Sequence, residues 1–184
     1  MNSTVRTPPP RGQAKQALIE AAAALAREEG LAGLSVDRVV KRAAISKGAF
    51  FHHFATRNDL VTALIAHLAE AFEADLAGRE ASGELFARAL VGATLDEVER
   101  NTGFMATLVS AVVLHRALGP VIEARTEVWT QRMIADGMDE SRARLVRAAL
   151  DGLLLQCLLR RNERHDEGHL RVLRAAFSEL LDGT

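Results

Sequence analysis

A chain of 184 residues is long enough for one compact domain or two small ones, and 48% hydrophobic with 26% charged residues excludes a largely disordered polypeptide. The 23 basic residues against 24 acidic ones leave a net charge of −1, which over the whole chain argues against a nucleic-acid partner. A single cysteine, Cys157, excludes an internal disulfide or a multi-cysteine zinc site, and no apolar run is long enough to span a membrane.

The first stretch, residues 1–12 (MNSTVRTPPPRG), holds three of the four prolines and no periodic apolar face. It reads as a flexible basic arm carrying Arg6 and Arg11, and it lacks the apolar core of a signal peptide, so a cytoplasmic location is expected. Beyond it, proline is nearly absent, Ala and Leu are abundant and tyrosine is missing. This composition predicts an all-α fold of about nine helices.

Apolar positions Ala14, Leu18, Ala22 and Leu25 recur at helical spacing and predict a helix from Gln13 to Glu29, ended by Gly30. Ser35 is placed to cap a second helix with Val36, Val39, Val40 and Ala43 inward. Ile45 falls in a short turn, and Ser46 caps a third helix that ends near Phe54. Thr56 and Asp59 form a T-x-x-D capping box that opens a long helix from Arg57 to about Leu76. Further helices are predicted at about 83–101, 104–117, 120–136, 140–163 and 168–182. Pro120 occupies a first turn, and Asp139 or Ser141 serves as a cap.

The informative segment is SVDRVVKRAAISKGAFFHHF, residues 35–54. Two short helices joined by a three- or four-residue turn describe a helix-turn-helix, whose second helix can enter a major groove. Phe50 and Phe54, four apart, anchor that helix, which leaves Lys47, Gly48, Phe51 and His52 pointing outward. Gly48 carries no side chain, so backbone there can approach a base edge or a phosphate. A pair of ordinary bundle helices would gain little from three phenylalanines and a tandem histidine within five residues.

Residues 13–66 resemble the DNA-binding domain of TetR/AcrR-family transcriptional regulators. The resemblance is carried by a helix ending in Glu-Glu-Gly, then Leu-Ser-Val-Asp, Ala-Ala-Ile-Ser-Lys-Gly-Ala-Phe-Phe-His-His-Phe and Thr-Arg-Asn-Asp-Leu. It implies that Lys47 and Gly48 meet base edges and nearby phosphates, and that Phe51 stands where a tyrosine commonly contacts the DNA. His52 and His53 fall at phosphate-contacting or domain-packing positions. Arg57 matches a phosphate-binding basic residue at the start of the fourth helix, and Ser35 a hydroxyl residue that often binds phosphate. Ser46 and Arg38 complete the expected DNA-binding set. Phe51 departs from the pattern: without a phenolic oxygen it offers apolar contact, such as with a thymine methyl. Asp37 sits where some relatives place a basic residue, and is read as favouring its helix N-terminus.

The charge distribution supports this without any family. Residues 1–66 carry nine Lys/Arg against five Asp/Glu, a net +4, and residues 67–184 carry 14 against 19, a net −5. Phosphate binding needs basic groups on one face, not a basic chain. The expected organisation is therefore arm 1–12, helix-turn-helix domain 13–57, and helical effector-binding and dimerisation domain 58–184.

In the C-terminal part, apolar residues at 145, 146, 149, 150, 153, 154, 157 and 158 form a stripe that Leu155 and Leu159 widen. More apolar surface than one small core needs predicts a symmetric dimer through Leu150, Leu153, Leu154, Leu158, Leu173, Phe177 and Leu180. By the resemblance, the last two helices form a four-helix dimer bundle, and the half-sites then lie about 34–36 Å apart on double-stranded DNA. An apolar pocket for a small-molecule effector is expected from Phe72, Phe86, Leu90, Phe104, Met105, Leu108, Val112, His115, Trp129 and Met133, with Arg125 meeting an anionic ligand. The resemblance implies the effector. No glycine-rich phosphate loop, nucleophile elbow or H-E-x-x-H run appears, so neither an enzyme nor a cofactor is expected, and His165 and His169 read as solvated surface rather than a metal site. Two alternatives stay open: a helical protein–protein adaptor without DNA affinity, and an activator of the same fold.

Overall fold

The computed structural model describes residues 12–100, 107, 110–111, 119–159 and 167–183, and of Val121, Cys157, Leu158 and Glu167 the backbone only. Among these residues the secondary structure is helical throughout, with no strand, as expected. The helices are α1 (Ala14–Glu29), α2 (Val36–Ala43), α3 (Lys47–His53), α4 (Arg57–Ala81), α5 (Phe86–Arg100), α6 (Gly119–Ala135), α7 (Glu140–Leu159) and α8 (Glu167–Asp182). The arm before Gly12, most of the helix expected at 104–117, and Phe104, Met105, Leu108, Val112 and His115 lie outside the described residues, as do Cys157 and Leu158 beyond their backbone and His165 altogether.

The chain forms two compact units, Met1–Glu70 and Ala71–Thr184, so the division falls inside α4. This lies later than the boundary expected after residue 57, because α4 gives its first half to one core and its second half to the other.

In the first unit each helix end is set by a local interaction. Gly30 closes α1 with a φ of +72°, a conformation that favours glycine, and its N–H donates to Ala26 O at 2.7 Å. The Ser35 hydroxyl accepts the Arg38 N–H at 3.4 Å, and the Ser46 hydroxyl accepts the Ala49 N–H at 3.1 Å. At the start of α4 the capping box closes both ways: the Thr56 N–H donates to Asp59 Oδ2 at 2.8 Å and the Asp59 N–H donates to Thr56 Oγ1 at 3.2 Å. α2 ends on Ala44 at φ +55°, the one described non-glycine residue with positive φ, and this reversal turns the chain into α3. Leu18, Ala22, Val39, Phe50, Leu60 and Leu64 are fully buried and make the core that holds α1, α2 and α3 against one another.

In the second unit α5 packs against α6, α7 and α8, while α7 also packs on α6 and α8. Phe86, Leu90, Leu95, Met133 and Val146 form its interior. Pro120 lies in the first turn of α6, and the Asp139 carboxylate caps α7 by accepting the Arg142 N–H at 3.1 Å. Asp96 on α5 ties three helices together, accepting from Arg79 of α4 at 2.5 Å and from Arg174 of α8 at 2.7 Å. Burial by itself raises this carboxyl, yet the two guanidinium hydrogen bonds outweigh it and hold Asp96 below the ordinary carboxylate range.

Candidate nucleic-acid interface and ligand pocket

The outward face of α3 is built by what its inward face buries. Phe50 is completely buried and Phe54 nearly so, their rings 5.7 Å apart, which fixes the rotation of a helix of only seven residues. That rotation leaves Ser46, Lys47, Gly48, Phe51, His52 and His53 exposed, and Phe51 stands edge-on to Phe50 at 5.3 Å between centroids. A Cβ added at Gly48 would meet nothing within 4 Å, so the absent side chain leaves open space in front of the backbone. Ser35 is exposed at the N-terminus of α2.

Three cations of this unit are matched by nearby carboxylates. Lys47 Nζ lies 2.9 Å from Asp37 Oδ1, Arg42 makes a two-pronged pair with Glu28 at 2.5 Å, and Arg38 pairs with Glu29. Arg42 holds Glu28 below the ordinary carboxylate range and Arg38 does the same for Glu29. Asp37 thus has two tasks, since it lies in the first turn of α2 and also neutralises the lysine expected to meet the DNA.

Two residues of the expected DNA-binding set have internal partners. Arg38 donates to the Gly33 carbonyl at 2.9 Å besides its pair with Glu29. Arg57 sends Nε to the Leu34 carbonyl and Nη2 to the Leu31 carbonyl, both at 2.6 Å. These bonds make Arg57 a clamp on the turn that leads into α2, where the Leu31 carbonyl also accepts the Leu34 N–H at 3.2 Å. Arg57→Ala is therefore expected to lower stability by about 2 kcal/mol, the worth of two charge-assisted hydrogen bonds at a half-buried site. Lysine cannot fork to two carbonyls, so Arg57→Lys should rescue little of it. Chemical denaturation measures this, and an unchanged midpoint for both variants would refute the clamp.

In the second unit α4, α5, α6 and α7 line a small, partly open cavity of about 50 Å³. Phe72 comes from α4, Leu90 and Thr94 from α5, Thr126, Trp129 and Met133 from α6, and Arg147, Leu150, Asp151 and Leu154 from α7. The Phe72 and Trp129 rings lie 5.9 Å apart at 48°. The Thr94 hydroxyl donates to the Leu90 carbonyl and that of Thr126 to the Glu123 carbonyl, so charge in the described lining comes from Arg147 and Asp151.

Four of the residues expected here converge: Phe72, Leu90, Trp129 and Met133. Phe86 does not line the cavity; it is buried with the Arg132 guanidinium 3.9 Å above its ring. Arg125 does not line it either, because Nη1 is held by Glu73 at 2.7 Å on an exposed part of α6. Leu150 and Leu154, expected at a dimer interface, line this cavity. Arg147 and Asp151 were missed, although their four-residue spacing on α7 is a legible signal for an ion pair.

Of the other residues expected at an interface, Leu153 and Phe177 are buried, and with Leu173 and Leu180 they line a groove between α7 and α8 whose wall includes Ala149, Gly152 and Ala176. Leu145, Gly152 and Leu159 are exposed along the same face of α7, Leu159 at 76%. A Cβ built on Gly152 meets nothing within 4 Å. No helix among the described residues is long and apolar enough to cross a membrane. His169 lies within α8 and is half-buried there.

Known proteins share this arrangement. The protein is 34% identical over 98 residues to the HTH-type transcriptional regulator BetI of Yersinia pestis (strain Pestoides F), a match covering 50% of each chain, so the chain spans about half the length of such curated relatives. A transcriptional regulator from Rhodococcus sp. Rha1 superimposes with a TM-score of 0.71 at 27% identity, over 92% of this chain and 96% of that one. The multidrug binding protein EbrR, in complex with malachite green, superimposes with a TM-score of 0.68 at 26% identity, over 94% and 98%. Residues 18–64 match the family described as bacterial regulatory proteins, tetR family, and residues 84–182 match the tetracyclin repressor-like C-terminal domain. With a helix-turn-helix in the first unit, a helical pocket in the second and both family segments matched in order, the chain belongs to the TetR family of bacterial regulatory proteins.

Proposed function

We propose that the protein is a ligand-responsive transcriptional regulator that binds a pseudo-palindromic DNA operator as a homodimer, acts as a repressor and is released by a small-molecule effector. The observation that carries this reading is the outer face of α3, where Lys47, Gly48, Phe51 and His52 are exposed on a helix that Phe50 and Phe54 lock in place. Ser35, Ser46 and His53 belong to the same proposed DNA-contacting set, whereas Arg38 and Arg57 position it through the turn carbonyls they hold. The dimer is proposed to form on the α7–α8 face of Leu145, Ala149, Gly152, Leu159, Leu173, Ala176 and Leu180. The effector is proposed to enter the cavity beside Trp129. EbrR, similar in fold, is a multidrug binding protein complexed with malachite green, which supports a small-molecule ligand for a chain of this fold.

The effector can displace the operator only by its differential affinity for two states of the dimer. α4 contributes to both compact units, so a shift of its second half is the proposed route between pocket and α3. Operator selection from random DNA followed by titration at graded salt tests the reading. Each phosphate contact should add a slope of about one to the fall of log affinity with log salt, so several contacts cost orders of magnitude between low and moderate salt. No enriched sequence, or binding indifferent to salt, would refute it.

A further inference from the structure

The charge around the cavity is unbalanced in one direction. Arg147 is the one cation of the described lining, and three carboxylates surround it: Glu123 at 2.7 Å, Glu127 at 3.5 Å and Asp151 at 3.7 Å. Three carboxylates against one guanidinium leave a net −2 at this corner. Among the described residues, Arg125 is matched by Glu73, and Arg144, which also acts on Glu127, is matched by Glu140. Asp151 registers the deficit: burial pushes its carboxyl above the ordinary range, Arg147 offsets this only in part, and Glu123 adds to the rise. Against the same cavity stand the rings of Trp129 and Phe72, whose π-faces attract positive charge.

We propose that the effector is a lipophilic organic cation, its apolar body against Phe72, Trp129 and Leu154 and its charge beside Asp151. This rests on the reading of the cavity as the effector site, and it reverses the anionic ligand that Arg125 suggested from sequence. A cation supplies the charge that Arg147 alone does not, and a lipophilic body fills a lining that is otherwise apolar. An anion would meet like charge from Asp151, Glu123 and Glu127, which disfavours it.

The sole tryptophan of the chain is Trp129, so its emission reports directly on this site. The full-length protein is titrated with tetraphenylphosphonium and with tetraphenylborate, ions of the same shape and opposite charge. The cation should perturb Trp129 saturably and release operator DNA, with affinity at least about tenfold above that of the anion. Asp151→Asn should narrow the gap at least fivefold, and Glu123→Gln should narrow it in the same direction. Equal or tighter binding of the borate overturns the cation inference while leaving the cavity as the effector site. Silence of Trp129 with both ions, in protein that still binds operator, overturns the effector site as well.

Discussion

Gly152→Glu is expected to leave the protomer folded and to abolish the dimer. The first half follows from the open space around this position: a Cβ there meets nothing within 4 Å, and replacing a mid-helix glycine removes a helix penalty of up to about 1 kcal/mol. The second half follows from symmetry. A two-fold interface places each copy of the groove against its equivalent, so one substitution introduces two carboxylates into an apolar contact. An unpaired buried charge costs several kcal/mol, enough to raise the dimer dissociation constant by at least about a hundredfold. Operator affinity should fall with it, since a single helix-turn-helix contacts only one half-site. Sedimentation equilibrium together with thermal melting checks this. A variant that remains dimeric at low micromolar concentration would place the interface on another face, and Gly152→Ala should remain dimeric.

The second large effect is expected at Gly48. A side chain here also meets nothing in the protomer, and an acidic residue in the first turn of α3 is favourable to its helix dipole. Gly48→Glu should therefore fold at least as well as wild type, form the dimer and keep its Trp129 response to the effector. It should nonetheless lose operator affinity by about a hundredfold, because the new carboxylate stands between the helix backbone and the phosphates. Gly48→Ala should lose less, about tenfold. Gel-shift titration beside melting and sedimentation separates these outcomes. Undiminished affinity in Gly48→Glu would mean that α3 does not carry the contact.

Much of the first unit was legible in the sequence, and the reason is that its determinants are local. Ser35, Ser46 and the Thr56–Asp59 box bond to backbone three residues away, and Gly30 ends α1 by its own conformation. The four-residue spacing of Phe50 and Phe54 then fixes which face of α3 turns outward. The pocket was legible in part: Phe72, Leu90, Trp129 and Met133 are large apolar residues on helices that must share a core. Phe86 and Arg125 were misplaced because each has a partner elsewhere, Arg132 above the ring and Glu73 across from α4.

By itself the sequence determined the all-helical order, the helix caps, the helix-turn-helix and the split between a basic first third and an acidic remainder. All of these depend on spacings of three or four residues or on simple counts. Only the tertiary structure decided how the apolar stripe of α7 is shared. Val146, Leu150 and Leu153 turn inward, Leu154 borders the cavity, and Leu145, Gly152 and Leu159 stay outside. A stripe wider than one helix face has no period that tells core from surface; its division depends on where the neighbouring helices lie. The same holds for charge. Arg147 meets Glu123 from 24 residues away and Arg57 reaches carbonyls 23 and 26 residues back, and no local pattern reveals such pairs. Through them Arg57 holds the turn before α2, and three carboxylates gather around Arg147.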